Sequence, residues 1–188
     1  MNAMSCYLTQ SRKSARAGFT LVEVLVVVAV LAGLASLAAP SFTESIRKSQ
    51  INSIQQEFSA SFQLARSEAI RRGFPVLLAR TTGCGVVLLD TDDWSCGWQI
   101  VVDTNRNGAV NAGEPVLQVT TIPNDYGVMH TGLGSVIQLN VWGQAQGVGQ
   151  RLVITPPPPE GISGPSTTTV CINSGGRIRK LSGEAICI

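Results

Sequence analysis

Apolar and polar positions alternate along the chain in three different ways. Residues 19–39 are almost wholly apolar, about 20 residues with Glu23 as the single charge. That length is enough for a helix to cross a bilayer. Many of these residues are valine, a strand former in water, but a segment in lipid must satisfy its own backbone groups, which favours the helix. After Pro40 the pattern changes. Ile51, Ile54, Phe58, Phe62, Ala65 and Ala69 fall at three- and four-residue spacings and form one helical stripe. Asn52, Gln56, Ser59, Gln63, Arg66 and Ser67 take the opposite face. Pro40 is expected to end or kink the apolar span, and Gly73 with Pro75 to stop the second helical half.

Beyond Pro75 the period becomes that of strands. Short β-rich runs stand at 76–79, 86–89, 98–102, 116–120, 136–141, 151–154, 167–172 and 177–181, separated by Gly, Asp, Asn and Pro. No helical pattern intervenes, so the sheet is expected to be mostly antiparallel. The run of four prolines at 156–159 reads as a stiff surface loop. The expected fold class is α+β: a long N-terminal helix packed on an antiparallel β-domain, in two sheets. The expected organisation is a leader over 1–18, a membrane or filament-core helix over 19–40, an amphipathic half over 41–72, and a β-domain over 73–188.

Composition adds a local explanation for a global number. Mean hydropathy is +0.22, high for a soluble chain, and the excess sits in 19–39. Charge is also local. Arg12, Lys13 and Arg16 lie in the first eighteen residues without an acid, and flank the apolar run as a cytoplasmic anchor does. Without them eleven basic residues face twelve acids, a net of −1. The mature chain is therefore not a globally basic nucleic-acid binder, and any such binding needs a local patch. Residues 81–125 are acidic, with Asp90, Asp92, Asp93, Asp103, Glu114 and Asp125 against Arg106. After Asp125 the balance reverses: Arg151, Arg177, Arg179 and Lys180 against Glu160 and Glu184.

Of five cysteines, Cys6 lies in the leader. Cys84, Cys96, Cys171 and Cys187 are an even set in an exported chain, which points to two disulfides. Three pairings exist. The nearest-neighbour one, Cys84 with Cys96 and Cys171 with Cys187, is the simplest because each bridge closes a short loop, worth about 3 kcal/mol. No Cys/His cluster supports a metal site.

Glu23 is the anomaly in the apolar run. A carboxylate there costs roughly 2.5–3.5 kcal/mol on insertion. It either reaches the membrane surface or pairs with a cation, and cleavage after Gly18 would expose one, the Phe19 amine. Such a pair between neighbouring subunits would set their axial register.

The run RAGFTLVEVLVVVAVLAGLA resembles the prepilin signature of type IV pilins and type II secretion pseudopilins: a basic leader, Gly, Phe, then Thr-Leu-Val-Glu opening an apolar helix. The resemblance implies cleavage between Gly18 and Phe19 by a prepilin peptidase, N-methylation of Phe19, and a role for Glu23 in assembly with other pilin subunits. It further implies a single-pass protein of the inner membrane with a periplasmic domain, which then enters a pilus at the cell surface.

Two further segments carry candidate chemistry. In 103–114, Asp103, Asn105, Asn107, Gly108, Val110 and Glu114 match the spacing of an EF-hand loop, which makes calcium the one candidate cofactor. The flanks are strands and only two of these ligands are charged, so a hairpin connection shaped by Asn and Gly is the competing reading. In 174–180, SGGRIRK follows a turn. An extended strand puts Arg177 and Arg179 on one side and Ile178 on the other, the two stems about 6.6 Å apart. That is near the phosphate spacing of one DNA strand, at most about two rises of 3.4 Å, and arginine suits bidentate phosphate contact. Solvation of an edge strand is the plainer use of such arginines.

Together the prepilin helix, WQIVVDTNRNG…GEPVL and the cysteine-bounded last hairpin resemble the FimT/GspH-type minor pilins, and GRIR at 176–179 is similar to the Gly-Arg-x-Arg of the FimT branch. That likeness implies sequence-independent DNA binding through Arg177 and Arg179, with Lys180 assisting, for DNA uptake in natural transformation. The alternative is a structural minor pilin or secretion pseudopilin at a filament tip, without DNA binding. No enzyme is expected: His130, the only histidine, has no nucleophile or acid beside it in sequence and reads as a turn residue.

Overall fold

The computed structural model describes residues 18–85, 88, 90–131, 134–147 and 149–187, with the side chains of 36–41 left out. The expected leader up to residue 17, with Cys6, falls outside these residues, as does most of the expected strand at 86–89. Helix α1 (Leu21–Arg72) runs without a break through Pro40, so that residue neither ends the helix nor divides it. The chain separates into two compact units, 1–42 and 43–188.

In the first unit the described side chains of α1, apart from Glu23, are mostly apolar on every side and exposed, among them Leu21, Val22, Leu25, Val28, Leu31 and Leu34. A helix apolar all round is stable only when covered. Among the described residues no helix is long and apolar enough to cross a membrane. The expected span of 19–39 continues past Ala35, the last described side chain before 42.

The second unit holds the core. The stripe foreseen from spacing is buried in full: Ile51, Ile54, Phe58, Phe62, Ala65 and Ala69 have at most 2% exposure. They pack on two antiparallel four-stranded sheets. The first has the order β3 (Val116–Thr120), β2 (Trp98–Val102), β1 (Val76–Arg80), β5 (Val136–Leu139). The second has the order β4 (Gly127–Thr131), β6 (Gln150–Thr155), β7 (Thr168–Ile172), β8 (Ile178–Ser182). Alternation aims Val76, Leu78, Ile100, Leu152, Ile154, Val170 and Ile172 into the common core. Phe58 meets Trp98 edge to face at 5.3 Å between ring centroids.

The helix is tied to an edge strand of each sheet. Gln118 on β3 donates to Ser61 Oγ at 3.2 Å, and Lys180 on β8 donates to Asn52 Oδ1. Among the described residues, strand β4 and a short 3-10 helix at Gly161–Ser163 are the elements missing from the sequence expectation. The five residues of β4 begin at Gly127 and are followed by Gly132 and Gly134, which in the sequence read as turn signals. Pairing with β6, Val128 against Ile154 and His130 against Leu152, makes it a strand.

Candidate nucleic-acid interface

The β7–β8 hairpin is closed by Asn173. Its carbonyl accepts the Gly176 N–H at 2.8 Å, and its side-chain Oδ1 accepts the Arg177 N–H at 2.8 Å. This turn sets the register in which Ile178 opposes Ile172 and packs on the core, while Arg179 opposes Cys171 on the outer face. Arg177 and Arg179 are both exposed and line one shallow depression of about 140 Å³ with Asn173 and Cys171. Neither arginine forms an ion pair among the described residues. Cys171 is bonded to Cys187, with 5.5 Å between their Cα atoms, which pins the segment after β8 back onto β7 at the register partner of Arg179. Cys84 is bonded to Cys96, so both nearest-neighbour pairings are present.

Lys180 is not brought to the arginines. It opposes Val170 and shares the helix-side face of β8, where its ammonium is bound to Asn52. The alternation that unites positions 177 and 179 sends position 180 the other way.

Segment 103–114 connects β2 to β3 as a closed loop. Asp103 is fully buried and accepts the N–H groups of Asn107 and Gly108 at 3.1 and 2.9 Å. Asn105 Oδ1 accepts the Asn107 N–H, and Asn107 Oδ1 accepts the Ala109 N–H. Glu114 receives the N–H groups of Asn111 and Thr104, both at 3.0 Å. Its carboxyl is held below the usual range chiefly by the Asn111 N–H, with Thr104 and Asn105 adding to it. Among the described residues no group of three or more His, Cys, Asp or Glu side chains is arranged to hold a metal. Between this loop and the outer face of the first sheet lies a groove of about 760 Å³, lined by Ala79, Arg80, Gln99, Val110, Gln138 and Gln146 among others. Its one cation, Arg80, is spent on the Asp90 and Asp93 carbonyls.

His130 is not a turn residue but a fully buried member of β4. Nδ1 lies 2.8 Å from the Gly134 carbonyl, Nε2 lies 2.6 Å from Gln150 Oε1, and the ring stands 5.1 Å from Trp94. Gln150 is oriented by donating to the Gln146 carbonyl. The imidazole is thus consumed in joining two turns to the core, a non-local pairing that sequence spacing does not reveal.

At the helix start, Gly18 and Phe19 are exposed. Thr20 Oγ1 accepts the Glu23 N–H at 3.2 Å, the geometry of a helix N-cap. Thr-Leu-Val-Glu is therefore also a capping sequence, with an acid in the positive first turn. This use of Thr20 was missed in reading the sequence, although the Thr-x-x-Glu pattern is there.

A long N-terminal helix on two antiparallel sheets, opened by an uncovered apolar half, defines a filament subunit of the pilin and pseudopilin class. Residues 55–179 match the family described as "Type II transport protein GspH", and residues 13–39 match the "Prokaryotic N-terminal methylation motif". The chain belongs to the GspH family. It is similar to the pilin-like protein PilA1 of Thermus thermophilus, 28% identical over 168 residues that cover 88% of this chain and 92% of that one. In fold it resembles the type IV minor pilin FimU of Pseudomonas aeruginosa, solved in two crystal forms. The TM-scores are 0.50 and 0.51, at 18% and 19% identity, over 69% and 73% of this chain and 91% and 90% of that chain.

Proposed function

We propose that this pilin-class subunit binds DNA without sequence preference through Arg177 and Arg179, in the service of DNA uptake. In this reading a prepilin peptidase removes residues 1–18, the segment 19–39 holds the protein in the inner membrane, and Glu23 pairs with a neighbour's Phe19 amine when subunits assemble. The supporting observation is the pair of exposed, acid-free guanidinium groups on one side of a disulfide-braced edge strand. Two such groups bridge successive phosphates and touch no base edge, so they read charge and not sequence.

The test is a gel shift with the full chain in detergent and a mixed-sequence duplex. Wild type is expected to retard the duplex, and Arg177→Ala/Arg179→Ala to release it. Equal retardation by the two proteins sinks the arginine site. The family match supports a second reading, a structural minor pilin or secretion pseudopilin. In that case wild type itself retards no DNA.

A further inference from the structure

The groove between the 103–114 loop and the outer face of the first sheet is built from neutral polar side chains. Its floor follows from register. Ala79 on β1 opposes Gln99 on β2 and Val136 on β5, and Gln138 lies two residues beyond Val136 on the same face of β5. Ala79 is small, and Gln99 and Gln138 stand on the strands to either side of it. Gln138 reaches the loop that forms one wall: a Cβ placed on Gly108 would stand 3.1 Å from its Oε1. Gln146 lines the groove from the segment that follows β5, its N–H bonded to the Gln138 carbonyl at 2.8 Å.

Five neutral side chains, those of Gln99, Gln138, Gln146, Ser135 and Thr82, line this groove without a hydrogen-bond partner among the described residues. Each of them can both donate and accept. No acid lines the groove, and its one cation, Arg80, is bound to the Asp90 and Asp93 carbonyls.

This set sorts ligands by chemistry. A phosphate or carboxylate finds no free counter-charge. An extended peptide finds no edge to join, because β1 and β2 are each paired on both sides and the floor presents no free main-chain groups. A neutral sugar fits both halves of the lining. Its hydroxyls match carboxamides that donate and accept, and its C–H faces match Ala79, Val110 and Val136. Gln99 and Gln138 are two strands and two residues apart, which puts their Cα atoms roughly 12 Å from each other. One sugar ring cannot touch both, whereas two or three linked rings can. The volume, about 760 Å³, is that of a small-molecule site.

We propose that this groove binds a neutral oligosaccharide, with Gln99, Gln138 and Gln146 as its hydrogen-bonding residues. The site shares no lining residue with the arginine hairpin and does not depend on DNA binding. Without a charge or an aromatic face, one copy binds weakly, with a Kd on the order of 1 mM, and salt has little effect.

The experiment is a saturation-transfer NMR titration of the full chain, in a detergent without a sugar headgroup, with maltotriose, cellotriose and triacetylchitotriose. At least one of the three is expected to bind. Gln99→Leu and Gln138→Leu keep the bulk and remove the carboxamide, and each weakens that binding by roughly 2- to 12-fold, the worth of one hydrogen bond. Gln146→Ala, at an exposed position, does the same and leaves the sheet itself unaltered. Arg177→Ala/Arg179→Ala binds the sugar as wild type does. A wild type that binds none of the three sugars overturns the proposal, and so does binding that all three glutamine variants retain. If a capped tetraglycine binds instead and Gln138→Leu abolishes it, the groove is a peptide site and the saccharide proposal falls. None of these outcomes bears on the DNA reading of the hairpin.

Discussion

Glu68 shows how much one side chain near the helix end can carry. Its carboxylate accepts from Arg71 at 3.0 and 2.7 Å and from Arg72 at 2.5 Å. The Arg71 hydrogen bonds, then those of Arg72, hold its pKa at about 2 against an ordinary 4.5. Because the folded value is the lower one, this stabilisation is present above pH 4.5 and is lost as pH falls toward about 2. Glu68→Gln is expected to lower the urea midpoint at pH 6 and to flatten its decline between pH 4.5 and 2. Denaturation series across that range check this, and an acid limb identical to wild type would contradict it. Glu114 is shifted in the same direction, so part of the limb persists in the variant. Residue roles were unevenly legible. The six stripe positions were plain from periodicity, since each buried side chain repeats with the turn of its own helix. The His130 pairing and the seat of Lys180 were not, since each depends on a partner far along the chain: Gln150 for one, Asn52 for the other.

Among elements, the β7–β8 hairpin is the one whose stability and proposed use meet. β8 is an edge strand, paired on one side alone, and Cys171–Cys187 closes the loop behind it with a sequence separation of 16. Replacing both cysteines by serine is expected to cost about 3 kcal/mol, read as a lower thermal midpoint. The loss falls unevenly. Amide exchange should rise over 178–182 more than over 150–155, because β6 stays clasped between β4 and β7. Uniform exchange in both strands would show that the bridge does not brace the edge. The hairpin was readable in the sequence from its Asn-Ser-Gly-Gly turn. β4 was not, because a five-residue strand between glycines has no signature apart from the strand it pairs with.

For the whole molecule the balance of charge limits what binding can look like. The chain after Gly18 has a net charge of −1, so in the proposed DNA reading the attraction would come from a patch and not from the overall field. With two or three phosphates contacted, log affinity should fall against log salt with a slope of roughly −2 to −3. A titration between low and physiological salt measures it, and a slope near zero would contradict phosphate binding. Affinity of that size is weak for one copy. In the proposed reading the exposed apolar half of α1 would supply the remedy, since pilin-class subunits assemble in filaments and an array of patches would multiply the grip.

The sequence by itself determined the class of this protein and most of its elements. The apolar run, the prepilin-like start, the helical stripe and the short cysteine loops are each encoded within a few tens of residues, where period and spacing translate directly into structure. Only the tertiary structure decided what meets at the last hairpin. It sets Arg177 and Arg179 on the outer face of the hairpin over the Cys171–Cys187 bridge and turns Lys180 toward Asn52 on the helix. These placements follow from strand register and from packing between residues far apart in the chain, which local spacing does not encode.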